Sequence, residues 1–491
     1  MYPSLDEVKH LAETTDYNTI PVAMEVYSDM TTPIRVIQIL KNHSHHCYLL
    51  ESVDSTLQWG RYSFLGFDPK MEITCINGRT VVKEEEDIVL DEMCDPRPII
   101  NNILSENKSP KIEGMSHFTG GLVGYFAYDY LKYAEPSLNL DAQDDEAFKD
   151  VDLMLFDKVI TFDNQRQKII LVANVKVDDI KSNYDKAKKE LQKIAQMIIY
   201  ESPIAPPAGK MLAPLTPVFT KEQYCEMVEA AKRYIREGEI FQVVLSNKLS
   251  APYEGSLFNT YRRLRTTNPS PYMFYFCSDD VEIAGSSPET LVSLKDGILH
   301  TFPLAGTRPR GASAKEDKAL AEELLADEKE LAEHNMLVDL GRNDIGKVSE
   351  FGSVQLESYR EVLRFSHVMH IGSVVAGRLK DSLTALDAVD AILPAGTLSG
   401  APKIRAAQII NELENNKRGI YGGAIGFLSF TGDMDICISI RLAYLKDGKV
   451  FVRSGAGIVA DSVPPTEFQE CINKAKAMTC ALEESENDKW L

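Results

Sequence analysis

The sequence predicts an α+β protein whose sheets are antiparallel, and three observations carry that expectation. Short strand-like runs follow one another directly, joined by turns such as Asn77-Gly78, Asp296-Gly297 and Asp447-Gly448, whose residues tolerate the left-handed backbone of a tight hairpin. Helical stretches stand between groups of strands and do not alternate with single strands, which argues against a doubly wound parallel sheet. The 491 residues are 44% hydrophobic and 26% charged, the balance of a globular chain with material for large cores.

Taken in order, strands are expected at 47–51, 71–76, 80–83 and 120–126, the last entered through Gly120 and Gly121. Residues 153–162 and 168–177 alternate as a hairpin around Asp163-Asn164-Gln165, and a helix rich in Lys and Glu follows at 180–200. Five prolines then fall between 201 and 217. Proline stiffens a linker and excludes helix and central strand, so the chain divides into 1–200, a Pro-rich linker at 201–217 and 218–491. Thr220 with Gln223 forms a capping box for a helix at 221–237 that Gly238 ends. Strands at 240–249, 272–276, 282–285, 291–294 and 298–302 lead to a Gly- and Arg-rich turn at 303–311 and an acidic helical run. A meander at 424–430, 437–445 and 449–454 precedes a closing helix at 467–483, capped by Thr466.

The composition also excludes functions. A net charge of -20 opposes nucleic-acid binding, which needs phosphate-neutralising patches. An anionic ligand would have to be drawn in by local Arg, Lys or a metal ion against the protein's own field. No apolar run approaches the ~18 residues needed to cross a membrane, and the first residues lack the pattern of a signal peptide. The eight cysteines are dispersed without a Cys-x-x-Cys pair, which suits free thiols in a reducing, cytoplasmic setting.

Residues able to carry chemistry cluster in the second half. Glu330 and Glu333 share a helix face at i,i+3, and Glu467, Glu470 and Lys474 share another. Such pairs are also the pattern of a solvated acidic face, but two of them facing each other could hold a divalent ion, and oxygen-only ligation favours Mg²⁺. Glycines at Gly306-Thr307, in 396–400 and in Ser454-Gly455-Ala456-Gly457 let backbone amides approach an anion, although none has P-loop spacing. His370, in Ser366-His367-Val368-Met369-His370, can titrate near neutrality, and Arg441 and Tyr421 can bind a carboxylate.

The segments Pro303-Leu304-Ala305-Gly306-Thr307-Arg308-Pro309-Arg310-Gly311, 327–334, 336–344, Pro394-Ala395-Gly396-Thr397-Leu398-Ser399-Gly400-Ala401-Pro402-Lys403 and 453–459 resemble, in order, the motifs of the chorismate-utilising enzymes. The resemblance implies two large antiparallel sheets packed as a sandwich with helices outside. It implies Mg²⁺ held by Glu333 and Glu470, with Glu330 and Glu467 reaching it through water. Glu289 falls where the family has its general acid for the departing ring hydroxyl, and His370 where it has the histidine of the pyruvate-elimination step. Gln242 and Thr307 complete the implied catalytic set. Gly306, Thr307, Thr397, Tyr421, Arg441, Gly455, Ala456, Gly457 and Lys474 fall where the family binds substrate.

Two positions separate sister activities. Ala305 stands where some members carry a nucleophilic lysine, and Gln242 where water-adding members carry a lysine base, so the resemblance implies ammonia as nucleophile and anthranilate as product. The alternative is the sister activity that stops at the aminated, non-eliminated ring. No amidotransferase motif occurs in the chain, which points to a separate glutamine amidotransferase subunit, and the resemblance implies a heterotetramer of two large and two small subunits. Leu50-Glu51-Ser52 and Asn268-Pro269-Ser270-Pro271-Tyr272-Met273 resemble the two halves of the family's tryptophan feedback site, which makes tryptophan the expected inhibitor.

Overall fold

The computed structural model describes residues 1–52, 58–84, 87–364 and 368–487; Ser366 and His367 of the histidine segment lie outside these. Two antiparallel sheets dominate, with the expected helices on their outer faces. The first sheet runs, in spatial order, through Thr19–Tyr27, Lys168–Lys176, Lys158–Asp163, Tyr62–Phe67, Cys47–Glu51, Tyr272–Cys277, Glu282–Ser287, Leu442–Lys446, Lys449–Ile458 and Gln242–Glu254. The second runs through Leu304–Pro309, Val368–Arg378, Ile298–Thr301, Thr290–Lys295, Met434–Ile438, Ala424–Ser429, Gly121–Phe126, Val151–Phe156, Met71–Ile76, Arg79–Glu84 and Asp87–Met93.

Alternation along the strands builds the layers. Cys47 and Leu49 face a helix-covered outer core, while Tyr48 between them faces the sandwich interior with Phe156, Phe276, Phe427, Tyr444 and Phe451. Tyr48 meets Phe156 edge-on at 4.7 Å, and Phe118 stacks on Phe427 at 4.2 Å. Aromatic rings from both sheets therefore fill the gap between the layers.

Both sheets are shared by the two halves of the chain. Cys47–Glu51 pairs with Tyr272–Cys277, and Gly121–Phe126 with Ala424–Ser429. The Pro-rich segment also contributes short edge pairings, Lys210–Met211 and Thr216–Pro217, to the strand Gln242–Glu254. Proline keeps these at the margin of the sheet, where a missing N–H costs little.

Four expectations require correction, two of them for one reason. The run 153–162 is not one strand: Val151–Phe156 belongs to the second sheet and Lys158–Asp163 to the first, with Asp157 at the crossing. Likewise 437–445 divides into Met434–Ile438 and Leu442–Lys446, and the chain changes sheet through Ser439–Arg441, where Arg441 takes a φ of 53°. Apolar alternation runs on through such a crossing, because both sides of it are buried. The closing helix spans Pro464–Asn487, so Thr466 lies within it; two prolines open it, their fixed φ suiting a first turn. The segment 303–311 is also more ordered than a turn, because Leu304–Pro309 is a strand with a bulge between Ala305 and Thr307.

Candidate active site

The bulged strand Leu304–Pro309 and its neighbour Val368–Arg378 build one wall. Gly306 takes a φ of 70°, which a side chain would strain, and a Cβ there would stand 3.2 Å from the Glu330 carboxylate. The bulge turns the Gly306 carbonyl towards His370, whose Nδ1 donates to it at 2.9 Å, while the Thr307 hydroxyl lies 3.1 Å from the same nitrogen. Burial and then the Arg441 charge lower the pKa of His370, so the ring is neutral near pH 7, with its proton on Nδ1 and the lone pair on Nε2.

A second wall carries the acid. Glu289 follows the strand Glu282–Ser287, and with Thr290, Pro303, Leu337, Leu340, Gly341 and Thr397 it lines a cavity of about 40 Å³. The Thr397 hydroxyl donates to Glu289 Oε1 at 3.1 Å. Burial nonetheless raises the Glu289 carboxyl to about 7, against the opposing effects of that hydrogen bond and of Lys474. A carboxyl poised at neutrality can deliver a proton to a leaving oxygen.

The floor is the strand Lys449–Ile458, paired with Gln242–Glu254 so that Gly455 faces Ser246 and Gly457 faces Val244. A Cβ on Gly455 would stand 3.1 Å from the Tyr421 hydroxyl, and one on Gly457 2.8 Å from the Gln242 amide nitrogen. A Cβ on Gly455 would also meet the Leu245 carbonyl at 2.6 Å, so a side chain at either position would clash. Ala456 departs from the expected binding set in one respect: strand alternation buries its methyl in the opposite core with Val243 and Leu245. Arg441 makes no hydrogen bond or ion pair with another described side chain, and burial lowers its pKa. A guanidinium without a protein partner in a half-buried site is suited to a carboxylate ligand.

The acidic helix faces come next. Glu330 and Glu333 lie on the helix Glu328–Val348, and Glu467, Glu470 and Lys474 on Pro464–Asn487. Arg308 anchors the first helix, donating to Asp327 at 2.8 Å and Glu323 at 3.0 Å and approaching Glu330 at 3.8 Å. Burial, and then the charges of Glu330 and Glu470, raise the pKa of Glu333, while Lys329 and Lys474 oppose the rise. The Glu467 carboxyl is raised in the same way by burial and Glu470. The two faces therefore feel each other's charge, and among the described residues the cation bonded to Glu470 is Lys474, at 2.7 Å. An all-carboxylate set under mutual repulsion suits a hard divalent ion, which would have to displace the Lys474 ammonium from Glu470.

Among the described residues, the carboxylates of these two helices do not form a group of three or more with ligand atoms within 4.8 Å of one another; the one group that does is His46, Glu72 and Asp279. Lys83 ion-pairs with Asp279 and lies 3.6 Å from Glu72, so an ammonium already fills the cation's place.

The two segments expected to form a regulatory site meet. Cys47–Glu51 and Tyr272–Cys277 are neighbouring strands, and Glu51 stands opposite Met273. Glu51 is fully engaged by protein donors: Tyr261 at 2.5 Å on Oε1, and Arg265 on both oxygens, at 3.0 Å to Oε2. The Ser52 hydroxyl is buried and has no hydrogen-bond partner among the described residues. Asn268 Nδ2 donates to Ser286 Oγ at 2.9 Å, Ser286 Oγ lies 2.9 Å from Ser270 Oγ, and the Tyr272 hydroxyl bonds Asp435 at 2.8 Å and Thr290 at 2.9 Å. Leu50 packs on the sandwich interior, and Pro269 and Pro271 flank Ser270 in the turn that enters the strand.

Sequence reasoning missed a buried triad behind the floor. Glu414 lies between Arg418 and Arg453, none of them more than 3% exposed. Glu414 and Arg418 are four apart in sequence, which reads as an ordinary helix-surface pair; the signal was Arg453, set within the apolar run Val450-Phe451-Val452.

A buried acid, a guanidinium with no partner among the described side chains, a glycine floor and two acidic helix faces within reach of each other's charge mark an enzyme that handles an anionic small molecule. The sequence profile of the chorismate binding enzymes matches residues 45–480, and the chain belongs to that family. It is 46% identical over 492 residues to anthranilate synthase component 1 of Acetivibrio thermocellus, covering 99% of each chain, and 43% identical to that of Acinetobacter calcoaceticus, again over 99% of each. The crystal structure of anthranilate synthase component I from Streptococcus pneumoniae TIGR4 superposes with a TM-score of 0.74 at 41% identity, over 87% of this chain and 94% of that one. The menaquinone-specific isochorismate synthase of Escherichia coli shares the fold, with a TM-score of 0.69 at 19% identity over 97% and 98%. No helix among the described residues is long and apolar enough to cross a membrane.

Proposed function

We infer that the chain is the ring-aminating component of an anthranilate synthase: chorismate and ammonia give anthranilate, pyruvate and water. The observation that carries the reading is Glu289, a carboxyl held near pH 7 in a cavity beside Thr397, where it can protonate the departing ring hydroxyl as ammonia adds. His370, neutral and oriented by the Gly306 carbonyl, would take the ring proton when pyruvate leaves. Arg441, Tyr421 and the amides of Gly455 and Gly457 receive the substrate's carboxylates. Ala305 and Gln242 offer neither a nucleophile nor a base, which leaves ammonia to attack.

Family members generally depend on a metal ion. Glu333 and Glu470 would hold Mg²⁺ here, with Glu330 and Glu467 in support, and the ion would supply a positive charge for the ring carboxylate. Ammonia would come from glutamine through a separate amidotransferase subunit, in a cytoplasmic heterotetramer of two large and two small subunits. The second half, 218–491, carries the reaction. The first half contributes Leu50, Glu51 and Ser52 to a tryptophan site with Asn268–Met273. Support for that regulatory reading is the path from Asn268 through Ser286 to the Arg441 carbonyl, at 3.0 Å, and from Tyr272 to Thr290, the neighbour of Glu289.

The test is direct. The purified chain with chorismate, Mg²⁺ and an ammonium salt at alkaline pH is expected to release fluorescent anthranilate, and Glu333→Gln to lower the rate at least about a hundredfold. Accumulation of a non-fluorescent amino compound would assign the sister activity that stops before elimination. Binding of chorismate without turnover would sink both.

A further inference from the structure

Behind the glycine floor, the Arg418 guanidinium is the meeting point of segments that are far apart in sequence. Its Nη1 donates to the Leu398 carbonyl at 2.6 Å and its Nη2 to the Val244 carbonyl at 2.7 Å. Nε and Nη2 also grip Glu414 as a fork, at 3.0 and 2.5 Å. Glu414 in turn accepts from Arg453 at 2.7 Å, from the Ser246 amide at 2.7 Å and from the Ser246 hydroxyl at 2.9 Å. Arg453 closes the circuit by donating to Ser246 Oγ at 2.8 Å and the Lys417 carbonyl at 2.8 Å. The guanidinium carbon also lies 4.6 Å from the Tyr128 ring centre and 5.9 Å from that of Tyr421.

Each tie ends one step from a substrate-binding position. Leu398 follows Thr397, Val244 pairs with Gly457, Ser246 pairs with Gly455, and Tyr421 lies under the guanidinium itself. Two arginines on one glutamate leave an excess of one buried positive charge beneath the anion floor. Stability alone does not account for such a group, since buried ion pairs are often replaced by apolar side chains with little loss. Geometry does: four of the five guanidinium N–H directions are assigned, and only a planar fork can serve them together.

We propose that Arg418 is the positioning residue of the carboxylate subsite, fixing the Thr397 turn, Tyr421 and the Gly455–Gly457 strand relative to one another through Glu414, Arg453 and Ser246. The proposal rests on the reading that those residues bind chorismate. It makes Arg418 a determinant of substrate affinity at a distance, with no contact to the reacting atoms.

The experiment is steady-state kinetics of the full chain with chorismate, Mg²⁺ and ammonium, together with thermal unfolding. Arg418→Lys keeps the charge and removes the fork, and Arg441→Gln serves as the direct-contact comparison. In folded Arg418→Lys, KM for chorismate is expected to rise about tenfold or more while kcat falls no more than about threefold. A wild-type KM in that variant, with a raised KM in Arg441→Gln, overturns the positioning role and leaves the binding reading standing. A wild-type KM in both overturns the binding reading itself. Should the lysine variant not fold, Ser246→Ala removes no charge and only one hydroxyl from the circuit. A KM raised about threefold there supports the proposal, and an unchanged KM in the folded protein overturns it.

Discussion

Glu51 ends a strand of the first sheet, Glu289 lies where the chain leaves that sheet for the second, and the two are treated in opposite ways. Glu51 sits at the junction of Cys47–Glu51 and Tyr272–Cys277, where Arg265 binds it as a fork and Tyr261 adds a third hydrogen bond. Its charge is answered within the protein. Glu289 receives one hydroxyl and the distant field of Lys474, and burial pushes its carboxyl up to about 7. Nearby, Glu333 is raised by burial and by Glu330 and Glu470, and Arg441 has no partner among the described side chains. The difference teaches that composition does not mark the site; incomplete compensation does. Groups left unsatisfied by the fold are those a substrate or an ion can complete.

The strongest way to break that comparison is Glu289→Gln. Loss of the proton donor should lower kcat by a factor of about 10² to 10⁴, while the unfolding midpoint at neutral pH stays level or rises. The sign follows from linkage. The folded acid titrates near 7 against an ordinary 4.5, so its protonated form favours the folded state, and the wild type loses stability relative to the variant as pH rises through that interval. The activity follows the same proton: kcat/KM for chorismate, normalised to free ammonia, should fall as pH rises through about 7, and the variant should lack that limb. A glutamine variant as unstable as one with a broken ion pair would remove the distinction between the two carboxylates.

Glu51→Gln tests the other side. Removing the negative charge leaves Arg265 without its counterpart, so chemical unfolding should show a loss of about 2 kcal/mol, tempered by the partial exposure of Arg265. Turnover at saturating chorismate should stay within about threefold of wild type. If activity collapsed and stability held, Glu51 would belong with the catalytic carboxylates.

How far these roles could be read from sequence depends on the kind of signal involved. Cys47–Glu51, Met71–Ile76 and Ile180–Tyr200 match expectation to the residue, because period-2 and period-3.6 patterns bounded by turns are local signals. The crossings at Asp157 and Ser439–Arg441 were invisible, because both flanking strands are buried and their alternation continues across the change of sheet. One of these crossings carries Arg441 in a left-handed conformation, so the feature that misled the strand assignment also presents a candidate site residue. The acidic pairs were legible as pairs, but their opposition depends on two helices 130-odd positions apart, which no local pattern encodes. Arg418 illustrates the same limit. Its partners at Val244, Leu398 and Glu414 come together only through the sheet and the turn that precedes the helix Lys403–Glu414.

Ser52→Ala is the mildest change and bears on how the two regions communicate. The Ser52 hydroxyl is buried and has no partner among the described residues, one residue beyond the fully compensated Glu51 and close to the strand of Met273. An unanswered hydroxyl in a compensated neighbourhood is the one element of that junction a ligand could complete. From there the strand pairing reaches Tyr272, whose hydroxyl bonds Thr290 beside Glu289, while Asn268 holds Ser286, whose amide holds the carbonyl of Arg441. If tryptophan acts by favouring one arrangement of this junction, its effect equals its difference in affinity for the two arrangements. Removing one hydroxyl should therefore raise the tryptophan needed for half-inhibition severalfold, roughly 1 kcal/mol of binding, and leave uninhibited turnover nearly unchanged. Parallel loss of turnover and inhibition would instead place Ser52 in the framework of the active site, and the contrast between a satisfied junction and an unsatisfied cavity would no longer separate regulation from catalysis.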